Sequence, residues 1–320
     1  MPDSQSPAFA PLPLDPAKFR DPRTTADGSR RAAVGLKALE TLWFNTGTLC
    51  NIACANCYIE SSPTNDRLEY LTLLDVKAKL DEIRALGLPT REIGFTGGEP
   101  FMNPDFVAIL TLALDRGFDV LVLTNAMRPM QRQRAAIRGL IGAYGGQLTL
   151  RVSLDSYAPA LHEVERGPNS WAPAIRGLKE LGADGARLSV AGRLRFAESE
   201  ADARAGFARL FREHGLDIDA DDPSRLVLFP EMDADRDVPE ITEACWGILD
   251  KSPGAVMCAT ARMVVKHKGA DAATVAACTL IPYDPAFDLG STLAGAAGPV
   301  PLNHPHCARF CVLGGASCSG

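Results

Sequence analysis

Residues 50–58 read Cys50-Asn51-Ile52-Ala53-Cys54-Ala55-Asn56-Cys57-Tyr58, directly after the apolar run Leu42-Trp43-Phe44, which has the character of a strand. Three thiols this close cannot all pair with one another as disulfides, but they can converge on one metal centre. Thiolates select zinc, copper(I) or iron–sulfur clusters, and a [4Fe–4S] cluster normally takes four cysteine ligands. Three protein ligands would leave one iron open to something other than protein.

Working outward, the 320 residues suffice for one large or two modest domains. The 46% hydrophobic and 22% charged composition is that of an ordinary globular protein. A net charge of -6 with no long basic run argues against a nucleic-acid backbone as the main partner. No charged start leads into a long apolar run, so no signal peptide is expected. No stretch approaches the ~18 apolar residues of a membrane span. Without a secretory signal, nine cysteines read as ligands or reactive thiols rather than a disulfide framework, and the expected location is cytoplasmic.

Residues 1–40 hold Pro2, Pro7, Pro11, Pro13, Pro16 and Pro22 with no sustained apolar period, which reads as an irregular, partly mobile extension. The basic pair Arg30-Arg31 reads as solvated surface. From residue 41 to 238 short apolar runs alternate with longer amphipathic segments. Strands are expected at 42–45, 92–95, 120–124, 148–154, 188–194 and 226–229. Thr72 and Asp75 form a capping box before Val76, Leu80, Ile83 and Leu86. Asn103-Pro104 reads as a cap and first-turn proline opening a helix at 106–114. Further helices are expected at 130–142, 171–181 and 200–214. Six βα units in series imply parallel strands with right-handed crossovers, in either an open sheet or a barrel. Residues 239–320 are richer in cysteine, glycine and proline and form a separate small domain in this reading.

Polar residues fall where these strands end. Thr96-Gly97-Gly98-Glu99-Pro100 follows the second strand; its glycines allow close backbone approach, and Glu99 can accept from an ammonium. Thr124 and Asn125 end the third strand, as a ligand contact or a helix cap. Ser153 and Asp155 flank Leu154 and so share one face of the fourth. Arg193 and Arg195 close the fifth, and a guanidinium suits bidentate binding of a carboxylate.

The C-x3-C-x2-C spacing resembles that of the radical S-adenosylmethionine (SAM) superfamily. Asn56 stands where an aromatic residue is common there, and Tyr58 supplies a ring just after the motif. The resemblance implies a partial (β/α)6 barrel of the TIM type with its chemistry at the C-terminal strand ends. Cys50, Cys54 and Cys57 would hold a [4Fe–4S] cluster whose open iron takes the amino and carboxylate groups of SAM. Gly97, Gly98 and Glu99 match the motif that binds the methionyl amino group, and Ser153 matches a position that contacts the ribose. Tyr58, Thr124, Asn125, Asp155 and Arg193 complete the expected cofactor set. No catalytic acid or base is singled out.

Cys258, the apolar run at 263–265, a turn at Gly269, and Cys278, with Cys307 and Cys311 far downstream, resemble the SPASM and twitch auxiliary domains of these enzymes. The resemblance implies one auxiliary [4Fe–4S] cluster on Cys258, Cys278, Cys307 and Cys311. Cys318 would replace one of these or be a free thiol. His304 and His306 beside Cys307 leave a zinc site as the alternative. Cys245 reads as a core cysteine, and the lone His162 as a surface or satisfied core residue.

The implied reaction begins with one electron from a flavodoxin or ferredoxin. It yields a 5′-deoxyadenosyl radical that abstracts hydrogen from a small metabolite or peptide, with the auxiliary cluster accepting the substrate's electron. Radical cyclisation or rearrangement with substrate ligated at that cluster is the second reading. A non-catalytic iron–sulfur or zinc protein is the third.

Overall fold

The computed structural model describes residues 12–194 and 198–315. After a two-residue strand β1 (Ala33–Val34), six parallel strands stand in space in the order they have in sequence. They are β2 (Thr41–Asn45), β3 (Glu92–Thr96), β4 (Asp119–Thr124), β5 (Leu148–Ser153), β6 (Arg187–Arg193) and β7 (Leu226–Phe229). The crossovers carry α1 (Leu73–Leu86), α2 (Phe106–Asp115), α3 (Arg128–Arg132), α4 (Arg134–Tyr144), α5 (Pro159–Arg166), α6 (Trp171–Ala183) and α7 (Glu200–Glu213). After the short α8 (Cys245–Ile248), β8 (Ala261–Val265) pairs parallel with β2, and β9 (Thr274–Ala276) pairs antiparallel with β8. The sheet order β7-β6-β5-β4-β3-β2-β8-β9 leaves both edge strands unjoined, as in a partial barrel. The last segment adds β10 (Val300–Pro301), antiparallel to β1, and a π-helical stretch at Cys307–Leu313.

Strand alternation divides the core. Leu42, Phe44, Ile93, Phe95, Val120, Val122, Leu150 and Val152 pack under the helices. On the opposite face Trp43 and Leu121 meet Val256, Phe287 and Phe310 of the C-terminal segment. Gly94 makes room for that arrangement, since a Cβ there would lie 2.5 Å from the Trp43 ring. The barrel interior near β2–β4 is therefore filled by residues beyond 250, and the sheet itself runs across position 238.

Three local expectations change. Thr72 and Asp75 do form the capping box, and α1 ends at Gly87 with φ 60°. Asn103 is not the residue directly before α2, a place that Asp105 takes without a side-chain cap bond; its Oδ1 accepts from Asp105 N in the turn that leads in, and its Nδ2 donates to the Thr46 and Leu71 carbonyls. The segment at 130–142 is two helices broken at Gln133, and α5 has no sequence counterpart in the expected set.

Residues 12–40 are irregular yet held in place. Phe19, Ala32 and Val34 are buried in the second core. Arg31, read from sequence as solvated, is 3% exposed. It pairs with Glu240 and donates to the carbonyls of Asp21 (2.7 Å), Thr24 (3.0 Å) and Leu302 (3.2 Å). One guanidinium thus ties the segment 21–31 to positions 240 and 302. Removing one member of a buried ion pair leaves the other uncompensated, at ~3–5 kcal/mol. Arg31→Met is expected to lower the unfolding free energy of the full chain by that amount, read as a lower urea midpoint, with Arg30→Met near wild type. Equal midpoints for the two variants would show that Arg31 is not the tether.

Candidate active site

The cysteine loop hangs from the end of β2 and is shaped by backbone hydrogen bonds. Cys50 N donates to Ser62 O (3.0 Å), Glu60 N to Cys57 O (2.8 Å), and Ser61 N to the Cys57 Sγ (3.3 Å). Cys50, Cys54 and Cys57 line one cleft, with about 630 Å³ of empty space, at the C-terminal strand ends. Tyr58, Gly97, Gly98, Thr124, Asn125, Ser153 and Arg193 line the same cleft.

The glycines of the 97–98 turn serve the chain's own packing. Gly97 has φ 143°. A Cβ at Gly98 would lie 2.1 Å from the Leu49 carbonyl oxygen, so only glycine fits against the entry to the cysteine loop. Gly98 N donates to Gly47 O (2.7 Å) and Glu99 N to Leu49 O (3.2 Å).

Glu99 stands behind the cleft and does not line it. It is 1% exposed and accepts from Thr124 Oγ1 (2.8 Å), Phe101 N (3.2 Å) and Asn125 N (2.8 Å). Asn125 Nδ2 then reaches Asn51 Oδ1 (2.9 Å) and the Cys50 Sγ (3.9 Å). Burial outweighs these bonds and pushes the Glu99 carboxyl up to about 7. It also pushes the Cys50 thiol up to about 12 and raises Cys54, in the latter case against the nearby Arg166 guanidinium. Thiols held this way are neutral until a metal displaces their protons.

Asp155 is turned away from the cleft lining. It pairs with Arg166 Nε (2.8 Å) and Arg193 Nε (3.3 Å). Burial pushes its carboxyl up, but the two guanidiniums win and hold it below its ordinary value. Arg193 Nη2 also donates to Asn56 O (2.8 Å). Two cations against one carboxylate leave a net positive wall, and Arg166, outside the expected set, lines the cleft itself. Helix α5 carries it there: Glu165 accepts from Asn56 Nδ2 (2.8 Å) and its carbonyl from Ala55 N (2.7 Å). His162 on the same helix is fully buried against Trp171, and neither ring nitrogen has a hydrogen-bond partner among the described residues, so it is neither surface nor satisfied there. Burial brings it down to about 4.

A second cavity, about 350 Å³, is lined by Cys258, Cys278, Cys307 and Cys311 among Val256, Met257, Leu280, Phe287, Val300 and Leu302. The four thiols come from a turn before β8, the end of β9 and the π-helical stretch. Buried Arg262 fixes the first of these through bonds to Cys258 O (2.5 Å), Ala261 O (2.8 Å) and Ala296 O (2.9 Å). Burial raises Cys278 strongly and pushes Cys258 to about 11 and Cys307 to about 12. Among the described residues no three His, Cys, Asp or Glu side chains close in on a single metal ion. His304 and His306 instead lie against each other with their rings tilted by 58°, centroids 4.7 Å apart. Cys245 is half-buried beside Thr242, and Cys318 lies outside the described residues. Both cavities fit iron–sulfur groups by their donor sets: three thiols with polar strand ends, and four thiols in an apolar shell.

Residues 44–191 match the family model for the Radical SAM superfamily. It is 32% identical over 168 residues to the antilisterial bacteriocin subtilosin biosynthesis protein AlbA of Bacillus subtilis (strain 168), covering 52% of this chain and 35% of AlbA. It is 30% identical over 159 residues to the mycofactocin maturase MftC of Mycobacterium ulcerans (strain Agy99), covering 49% of this chain and 40% of MftC. The matches span about a third to two fifths of these relatives. The fold is that of Streptococcus suis SuiB in its crystal structure bound to S-adenosylmethionine, with a TM-score of 0.57 and 12% identity, over 79% of this chain and 63% of SuiB. Among the described residues no helix is long and apolar enough to cross a membrane.

Glu99 has a testable pH signature. Its folded pKa of about 7 lies above the ordinary 4.5, so the folded state binds its proton more tightly than the unfolded chain. Stability from this group is therefore greatest below pH 4.5 and falls as pH rises through the window to 7, by about 3 kcal/mol. Urea midpoints of the full chain at pH 5 and pH 8 are expected to show this fall in the wild type and to lose that component in Glu99→Gln. Identical pH dependence in both would mean the carboxyl titrates normally.

Proposed function

We propose that this chain binds a [4Fe–4S] cluster on Cys50, Cys54 and Cys57 together with SAM. We further propose that it carries out an oxidative modification of a peptide or small metabolite, with a second [4Fe–4S] cluster on Cys258, Cys278, Cys307 and Cys311 accepting the substrate's electron. The observation that carries the reading is the meeting of three thiols, the Gly97-Gly98 turn and a net positive wall on one cleft. When bound, the cluster and SAM supply a 5′-deoxyadenosyl radical that removes a hydrogen atom from the substrate. A flavodoxin- or ferredoxin-type protein is the proposed donor of the first electron.

The chain's residues divide the binding work. The turn at Gly97 and Gly98 offers backbone to the methionyl ammonium, while Glu99 supports it from behind through Thr124 and Asn125. Arg193 and Arg166 offset the SAM carboxylate, because Asp155 neutralises only one of them. Ser153 faces the ribose, and Tyr58 and Ile52 exclude water around the reacting bond. Four thiols on the second cavity leave no cluster iron for direct ligation of substrate, which favours electron acceptance over cyclisation at that cluster. The relatives' names, a bacteriocin biosynthesis protein and a maturase, support a biosynthetic modification.

The test is iron, sulfide and 5′-deoxyadenosine after anaerobic reconstitution with SAM and reductant. About eight irons are expected per intact chain, and about four in either the Cys50/Cys54/Cys57→Ala variant or the Cys258/Cys278/Cys307/Cys311→Ala variant. SAM cleavage should vanish in the first variant and persist in the second. Four irons in the intact chain and none in the first variant would remove the auxiliary cluster. SAM cleavage that survived loss of the first three thiols would remove the reading altogether.

A further inference from the structure

A third opening, an exposed groove of about 1280 Å³, lies between the two thiol sites. It shares Cys57 and Tyr58 with the cleft and Leu280 and His306 with the four-thiol cavity. Its charge is one-sided: Glu60, Asp233, Asp235 and Asp284 line it, and no lysine or arginine does among the described residues. Two of these carboxylates are answered from outside the groove, Glu60 by Arg67 (3.2 Å) and Asp233 by Arg236 (2.9 Å). Asp235 and Asp284 have no ion pair among the described residues. Asp284 spends one oxygen, accepting from Ala286 N (2.9 Å), and keeps the other.

A cluster of acids on a surface is ordinarily solvated. The groove has a second feature that solvation does not explain. His306 lines it at 6% exposure, and its Nδ1 has no hydrogen-bond partner among the described residues. A buried polar atom left unsatisfied costs about 1–3 kcal/mol, and such atoms are usually completed by a ligand or an ordered water. Its neighbour His304 has its Nδ1 filled by His306 N (3.1 Å), so the vacancy belongs to one ring.

We propose that this groove holds the substrate by a cationic group, a protonated amine or guanidinium, between Asp235, Asp284 and the free His306 Nδ1. Placing that group between the two clusters rests on the function proposed above; the charge preference rests on the groove alone. A donor-only cation matches three acceptors, whereas an anionic substrate would meet only like charge. Arginine or lysine side chains of a peptide and the amines of a small polyamine share this chemistry.

The test is calorimetric titration of the anaerobically reconstituted full chain at low ionic strength with trilysine, spermidine and triglutamate. Both cations are expected to bind and triglutamate not to, with affinity falling as salt is added. Tighter trilysine would point to a peptide source, and tighter spermidine to a small amine. Asp235→Asn/Asp284→Asn is expected to weaken cation binding by roughly fivefold or more. Asp235→Lys should raise triglutamate binding, a gain that misfolding cannot imitate. Equal binding of trilysine and triglutamate, or cation affinity unchanged in the double variant, would overturn the proposal. SAM cleavage by the wild type is scored in the same preparation. Its absence beside a clear cation preference would strike the radical chemistry and spare the groove; its presence beside no preference would do the reverse.

Discussion

Everything at the candidate active site depends on a buried carboxylate. Glu99 sits at the end of β3 with three donors on its two oxygens, two from the end of β4 (Thr124 Oγ1 and Asn125 N) and one from the 100–102 turn (Phe101 N). An ionised carboxylate without such partners would be too costly to bury, so the bonds fix Thr124, Asn125 and the start of the 100–102 turn together. Through Asn125 the constraint passes to Asn51 and Cys50. Through the Glu99 and Gly98 amides it passes to the carbonyls of Leu49 and Gly47. The cysteine loop has little regular structure of its own; its geometry is borrowed from this support. Gly98 is the tightest point of the arrangement, because any side chain there would strike the backbone that leads into Cys50.

Local pattern made much of this legible. Six apolar runs became β2–β7, since a parallel strand buried on both faces must be apolar throughout. The thiols of the first loop and those of the tail could be grouped because spacing and chemistry travel together. What sequence hid were pairings between distant residues. Nothing beside Asp155 marks it for Arg166 and Arg193 rather than for a ligand, and nothing beside Arg31 marks it for Glu240. Helix α5 was missed for a related reason: Pro159–Arg166 is eight residues, short for a periodic pattern, and its buried face includes His162 and Glu165. Glu99 was legible as a motif residue, but its place behind the cleft follows from the tight fit of Gly98, which no composition reveals.

A second regularity is the use of buried and half-buried guanidiniums as backbone clamps. Arg31, Arg262 and Arg193 each donate to carbonyls of segments far away in sequence. Loops that carry ligands cannot satisfy their own carbonyls through a ladder, and burying them bare would be costly. A planar donor with several N–H groups meets more than one carbonyl at once. The Cys258 turn, the N-terminal segment and the Asn56 end of the first cysteine loop are held by the same device. This explains how regions poor in helix and strand keep side chains in place.

The two thiol sites differ in electrostatics, and the difference bears on what each can hold. The first opens to a wall with more arginine than aspartate, where incoming negative charge on thiolates or on a ligand carboxylate is offset by the protein. The second is walled by Val256, Met257, Phe287 and Val300, and Arg262 is the cation whose field most lowers the Cys258 thiol. Thiolates there would repel one another with little screening: burial above all, and after it the neighbouring Cys311 and Cys307, push the Cys278 thiol up. Four thiols there are therefore tolerable protonated, or as thiolates only around a centre that carries positive charge to all four sulfurs together. A closed, apolar, four-thiolate shell also shields such a centre from water and from ligand exchange. These are properties suited to passing electrons rather than to binding substrate. On the function proposed above, the substrate's contacts would lie outside that shell, and the acidic groove shared with Tyr58 and His306 is the place proposed for them.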